Sequence, residues 1–221
     1  MSQPSKGSRV PRPLRGRLAR TWPVVLAEDM PVGHLVLRPL HRRDGDDWMD
    51  LRTRNAAWLE EWEATAPHPD DSPAPTFAEY VRILAAQGRA GTALPFAVDL
   101  EGELVGQVTV SSITHGSLSS ASIGYWVGEH VAGRNVIPTA VAMVSDYCFS
   151  VVGLHRVEIN IRPENRASLR VVEKLALRDE GLRERFLHIR GDWRDHRSFA
   201  LTAEEVPGGL LPRARALWAP R

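Results

Sequence analysis

The sequence predicts an α/β fold, a single mixed and mostly antiparallel sheet flanked by about four helices. Three observations point there. The elements read in the order β, αα, βββ, α, β, α, ββ, which suits one mixed sheet better than a doubly wound one. Two tight turns, Glu101-Gly102-Glu103 and Arg190-Gly191-Asp192, each separate alternating apolar runs, as hairpins require. Between them a β-rich run, Ser122 to Val127, enters a polar loop, Gly128 to Asn135, and then a helix-period pattern of Ile137, Val141, Val144, Cys148 and Val151.

The elements follow in order. Residues 1–21 carry six cationic side chains, three prolines and no acid, and read as a basic flexible arm. Pro31 to Pro39 alternates as a first strand. Asp44 to Glu61 reads as a helix or helix pair with Asp44 as N-cap; its Trp48 and Trp58, with Trp62 just beyond, are mainly core, one or two of them free to line a pocket. His68 to Pro75 is a loop. Thr76 and Glu79 have capping-box spacing ahead of a helix that Gly88 and Gly91 end. Phe96, Val98 and Leu100 alternate, and Leu104 to Ile113 returns beside them. Gly153 closes the central helix. Val157, Ile159 and Ile161 then face one way, Glu158 and Asn160 the other. Asn165 is an N-cap for a short helix with Leu169, Val172 and Leu175 on one side. Gly181 to Ile189 and Trp193 to Thr202 close the domain, which spans 22–206, and 207–221 reads as a loosely attached tail.

Composition narrows the function. The chain of 221 residues is 43% hydrophobic and 25% charged, so it is globular. A net charge of +1 gives no whole-chain argument for nucleic-acid binding. The one cysteine, Cys148, excludes a disulfide framework within the chain, fits a reducing cytoplasm, and reads as packing. No apolar run reaches the length of a membrane span, so no membrane partner is expected, and Arg15, Arg17 and Arg20 interrupt any signal-peptide core. There is no Walker lysine motif, strict G-x-G-x-x-G, G-x-S-x-G elbow or metal-ligand spacing among the histidines, so no metal is expected.

The central strand, loop and helix aim the unsatisfied N–H groups of a helix start at one point, where the helix dipole also favours an anion. Gly133 allows close backbone approach, Arg134 adds positive charge, and Pro138 sacrifices no hydrogen bond. This makes Gly133–Ile137 a candidate phosphate or pyrophosphate site. The same spacing also describes an ordinary βα turn.

Three strings at this spacing, IGYWVGEHVAGRN (Ile123–Asn135), GLHRVEINIRPEN (Gly153–Asn165) and ASLRVVEKLALRDEG (Ala167–Gly181), resemble the GNAT superfamily of acyl-CoA-dependent N-acetyltransferases. The RimJ/RimL-type branch, which acetylates protein N-termini, is the nearest in appearance. The resemblance covers roughly Leu35 to Thr202. It implies a sheet splayed between the fourth strand, ending at Val127, and the fifth, beginning at His155. It implies acetyl-CoA as co-substrate, with Ala132, Gly133, Arg134, Asn135, Val136 and Ile137 around the pyrophosphate. The backbone from Tyr125 through Trp126 to Val127 would pair with the pantetheine arm, and the Val127 N–H would polarise the thioester carbonyl. Asn165 resembles the residue that bonds the pantetheine, and Ser168 the hydroxyl near the leaving sulfur; both also read as helix-capping groups. The sequence departs from the family pattern Q/R-x-x-G-x-G/A at Ala132, Asn135 and Ile137. Asn135 suits left-handed backbone, whereas Ile137 is bulky enough to crowd the pyrophosphate. The usual K-L-G-F is Lys174-Leu175-Ala176-Leu177; if the third position has φ > 0, alanine there costs about 1 kcal/mol.

The implied acceptor is a primary amine, first the α-amine of a protein such as a ribosomal protein, attacked directly in a ternary complex. An α-amine, with a pKa of about 7.7–8.0, needs less help from a base than a lysine near 10.4. Glu158, Glu103 and His188 are the candidate bases, with a water chain as the alternative; each also reads as structural or solvated. A polyamine or aminoglycoside acceptor, and a degenerate non-catalytic acyl-CoA-binding protein, are the competing functions. The basic arm is a candidate ribosome contact or simply a solvated tail, and the protein is expected as a monomer or homodimer.

Overall fold

The computed structural model describes residues 22–68 and 74–219, so the basic arm and most of the loop from His68 to Pro75 lie outside the described residues. The strands are β1 (Leu26–Met30), β2 (Gly33–Pro39), β3 (Leu94–Leu100), β4 (Glu103–Thr114), β5 (Ser120–Val127), β6 (Arg156–Ile161), β7 (Arg178–Ile189) and β8 (Asp192–Thr202). They form one sheet in the order β1-β2-β3-β4-β5-β6-β8-β7. Each pairing is antiparallel except that of β5 with β6. The expected mixed sheet is therefore present, with one strand, β1, upstream of the expected first.

The helices are α1 (Gly45–Arg54), α2 (Ala56–Glu60), α3 (Phe77–Ala90), α4 (Val136–Tyr147), α5 (Arg166–Lys174) and α6 (Leu211–Ala216). The two beyond the expected four come from the region Asp44–Glu61, split at Asn55, and from the segment after Pro207. That segment is no loose tail. Leu210 and Ala214 are fully buried, Asp146 accepts the Leu210 and Leu211 N–H groups at 2.5 and 3.0 Å, and Arg213 donates to the Leu175 carbonyl at 3.0 Å. Its apolar residues are too few to announce a helix, and they pack because α4 offers them a buried face. Asp44 also differs from expectation. It does not cap α1 but accepts from the His41 N–H at 2.7 Å and from Arg38 at 2.8 Å.

Gly88, expected with Gly91 to end its helix, lies inside α3; the other local signals are obeyed. Thr76 and Glu79 close their capping box, and Gly91 ends α3 at φ 69°. The main core gathers the alternating strand residues Phe96, Val98, Val108, Val157, Ile159 and Ile161 around α4, which is buried on nearly all sides. The pattern of α4 fails only at Val151, half exposed, because a π turn over Cys148–Val152 inserts a residue and rotates it outward. Cys148 is buried and its thiol is pushed up to about 12 by that burial, which leaves it as packing. Among the described residues no helix is long and apolar enough to cross a membrane.

Ala176 follows α5 with φ 54°, while the Leu177 N–H reaches back to the Val172 carbonyl at 3.0 Å. Its side chain is exposed. Ala176→Gly should therefore stabilise the protein by about 0.5–1 kcal/mol, the relief of left-handed strain less the added freedom of the unfolded chain. Urea unfolding at constant slope measures it; no gain would mean the strain is absent.

The feature that positions the site is the β5–β6 seam. Only Ser120, Ala121 and Ser122 pair with Arg156, Val157 and Glu158. Beyond that point β5 continues along β4 while β6 continues along β8. The sheet is therefore splayed between these strands, the fourth and fifth of the expected set.

A candidate acyl-carrier cleft at the splayed strands

The splay opens a cleft of about 660 Å³ between β5, the loop after it, the start of α4, and α5. Its walls include Tyr125, Trp126, Val127, Ala132, Gly133, Asn135, Val136, Ile137, Asn165 and Ser168, ten residues that the sequence placed in one site.

The loop is held at both ends. Asn55, buried, accepts the Glu129 N–H at 2.8 Å and donates to the Leu51 carbonyl, tying the loop to α1. Within the loop, the Ala132 N–H goes to the Glu129 carbonyl and the Arg134 N–H to that of Val131. The first α4 bond is from the Thr139 N–H to the Asn135 carbonyl, so the N–H groups of Val136 and Ile137 precede the helical ladder and Pro138 has none. Asn135 takes φ 63°, as its residue type allows, yet its side chain makes no capping bond. Its Nδ2 donates to the Leu217 carbonyl at 3.3 Å and its Oδ1 accepts from Lys174 Nζ at 2.6 Å. The usual internal cap is thus drawn aside, and the helix start faces the cleft with a lysine beside it. That is the arrangement an anion needs. Ile137 forms part of the wall and does not plug the cleft, since it is packed into the main core.

Arg134, expected beside the pyrophosphate, is exposed and is not among the residues that line the cleft. The cations that do are Arg166, Arg170 and Lys174 of α5. They lie four residues apart, on one face of that helix, a periodicity readable in the sequence.

Along the strand, the Gly128 N–H donates to the Val105 carbonyl at 2.8 Å, toward β4. Backbone groups of successive strand residues point to opposite edges, so those of Val127 and Tyr125 face the splay. Trp58 Nε1 indeed reaches the Val127 carbonyl from that side, at 3.0 Å. Tyr125 and Trp126 take opposite faces, the first against the main core and the second against Trp48 and Gln107. Of the three tryptophans, Trp48 is core while Trp58 and Trp62 line the cleft. At the mouth of α5, Asn165 Oδ1 accepts the Ser168 N–H at 3.0 Å, and the Tyr125 hydroxyl donates to the Ser168 carbonyl at 3.3 Å. Burial pushes that phenol above its ordinary pKa, so it stays protonated.

None of the three candidate bases lines the cleft. Both oxygens of Glu158 are taken, by Arg156 at 2.8 Å and Arg183 at 3.0 Å. Glu103 sits at the hairpin turn, 3.3 Å from His130. His188 Nδ1 holds Thr65, at 2.8 Å to its hydroxyl. Each of these side chains is spent on ties between elements.

A family model described as an acetyltransferase (GNAT) domain matches residues 34–178. The structure of Mycobacterium smegmatis RimJ in complex with CoA-disulfide superposes with a TM-score of 0.82 at 39% identity, covering 89% of this chain and 96% of that one. The probable N-acetyltransferase YjcK of Bacillus subtilis is 29% identical over 76% of this chain and 93% of its own length. The [ribosomal protein uS5]-alanine N-acetyltransferase of Escherichia coli is 28% identical over 79% and 91%.

Proposed function

We propose that this chain, which belongs to the GNAT family of acetyltransferases, transfers the acetyl group of acetyl-CoA to the α-amine of a protein N-terminus. The observation that carries the reading is the single cleft joining an uncapped helix start to the free edge of β5. The Val136 and Ile137 N–H groups and Lys174 fit a pyrophosphate. The Tyr125 and Val127 backbone fits an extended amide-bearing arm laid beside β5 as an added strand. The Val127 N–H, aimed into the splay, polarises the thioester carbonyl, and a fixed donor of that kind acts most strongly where water is excluded. Ser168, whose backbone is held at the first turn of α5 by Asn165 and Tyr125, hydrogen-bonds the departing thiolate through its hydroxyl in this reading. Attack is direct, in a ternary complex.

A second cavity, of about 180 Å³, lies at the other side of the splay and shares Trp62, Tyr125, Asn165 and Ser168 with the first. Its charged wall residue is Arg162, and no carboxylate lines it. The neighbouring depression that also contains Arg162 adds Arg190 and Arg194 against one Glu61. Each of these arginines is already paired, Arg162 with Glu164 at 3.2 Å, Arg190 with Glu60 at 3.9 Å and Arg194 with Asp192 at 3.4 Å. What disfavours a polyamine or aminoglycoside is therefore the lack, among the described residues, of a carboxylate in the small cavity to receive a second ammonium group; this supports the peptide reading.

Turnover of acetyl-CoA with peptides bearing free N-termini, against spermidine as the contrasting acceptor, tests this. Peptide turnover is expected, and turnover with spermidine alone overturns it. In the active case Ser168→Ala should lower kcat about tenfold and leave the Kd for CoA within about twofold, since the hydroxyl acts on charge that develops only in the transition state. Equal loss in both would make Ser168 a binding group only.

A further inference from the structure

The second cavity contains a histidine, which the cleft lacks. Its polar lining includes Asn160 and His196, set among Ile123, Ile159 and Leu187. His196 is 4% exposed, and its Nδ1 lies 3.0 Å from the Arg194 carbonyl. A carbonyl can only accept, so Nδ1 carries the ring hydrogen and Nε2 carries the lone pair. The ring is fixed edge-on against Phe186, with centroids 5.5 Å apart. Burial is the largest influence on it and, with Arg162, holds its pKa below the ordinary histidine value; the Arg194 carbonyl, Glu164 and Asp195 pull the other way. Arg183, opposite His196 in the β7–β8 register, is engaged by Glu158. At neutral pH the imidazole is therefore an uncharged acceptor, the state a base requires.

Resting on the acetyl-transfer reading, we infer that His196 is the proton acceptor for the incoming amine and that the cavity it lines receives the acceptor's first residue. An α-ammonium in the cavity gives one proton to Nε2. The freed lone pair forms the C–N bond at the thioester carbonyl carbon as the C–S bond breaks. The thiolate takes the second proton that the nitrogen sheds, and His196 returns its own proton to solvent.

The test is the pH dependence of kcat from pH 5 to 9.5 for the parent protein and His196→Gln, whose side-chain amide still donates to the Arg194 carbonyl. The parent should show an acid limb with its midpoint below the ordinary histidine value of about 6.5. His196→Gln should lose about tenfold at pH 7, where only about one α-amine in ten is already neutral. The loss should vanish by pH 9, where the amine deprotonates unaided, with CoA affinity unchanged within about twofold. Superimposable profiles, or a deficit that persists undiminished at pH 9, overturn the assignment. If the variant does not fold, the parent's limb decides: a parent without one below 6.5 refutes the role. The limb is read with whichever amine the parent acetylates, so turnover of spermidine but no peptide defeats the peptide reading alone. Turnover of no amine defeats both.

Discussion

Lys174→Glu should raise the Kd for coenzyme A about a hundredfold by titration calorimetry, and Lys174→Gln about tenfold. Lys174 Nζ sits 2.6 Å from Asn135 Oδ1, and Asn135 immediately precedes the N–H groups left open at the start of α4. Two unit charges about 6 Å apart interact by about 3 kcal/mol at an effective dielectric near 20. Competition from water and salt leaves roughly half of that on neutralisation, which is about tenfold, and reversal adds a repulsion of similar size. The parent's affinity should fall as salt rises, and that of Lys174→Gln should fall less. Affinity within twofold of the parent for both variants would mean that the diphosphate lies elsewhere in the cleft. It would also leave the drawn-aside cap of α4 without a purpose.

Much of this geometry was legible because it is local. Asn165 sits three residues before the N–H it caps, and Asn135 is one of few residue types at ease with φ 63°. Thr76 and Glu79 close their box by spacing alone. The alternation of Val157, Ile159 and Ile161 assigned the buried face of β6. What stayed hidden depends on register between distant segments. Glu158 looked like a free carboxylate on the polar face of a strand, but Arg156 beside it and Arg183 from the far hairpin consume it. His196 lines the same cavity as Asn160 only because β6 pairs with β8, and nothing in their separation along the chain announces that. β1 was missed because LAEDM carries two acids and a thin apolar pattern; it is a strand by virtue of its pairing with β2. The stripe of Arg166, Arg170 and Lys174 was readable at four-residue spacing, but only the cleft reveals which side of α5 matters.

Gly124→Leu should cut kcat/KM for the acceptor about a thousandfold while CoA binding stays within about twofold. Gly124 lines the second cavity and not the cleft, so a side chain there enters the acceptor's half of the site alone. Its backbone is outside the left-handed region, and a Cβ built on it meets nothing within 4 Å. The strand can therefore accept the residue without distortion, and the pairing of Gly124 with Thr109 is a backbone matter that a side chain leaves intact. The cost falls on the reaction. The attacking nitrogen must come within about 3–3.5 Å of the carbonyl carbon, and about 1 Å of misplacement already costs about a hundredfold. A leucine in a space of about 180 Å³ displaces the acceptor by more than that. Gly124→Ala, which adds one methyl, should cost about fivefold. The pair of predictions divides the site, since Lys174→Glu strikes donor affinity and Gly124→Leu strikes acceptor use. Parent-level acetylation of the same peptide by Gly124→Leu would show that the amine enters along the coenzyme cleft, past Trp58. The proton acceptor would then have to be sought among the carboxylates that line that cleft, Glu63 and Glu164, and not at His196.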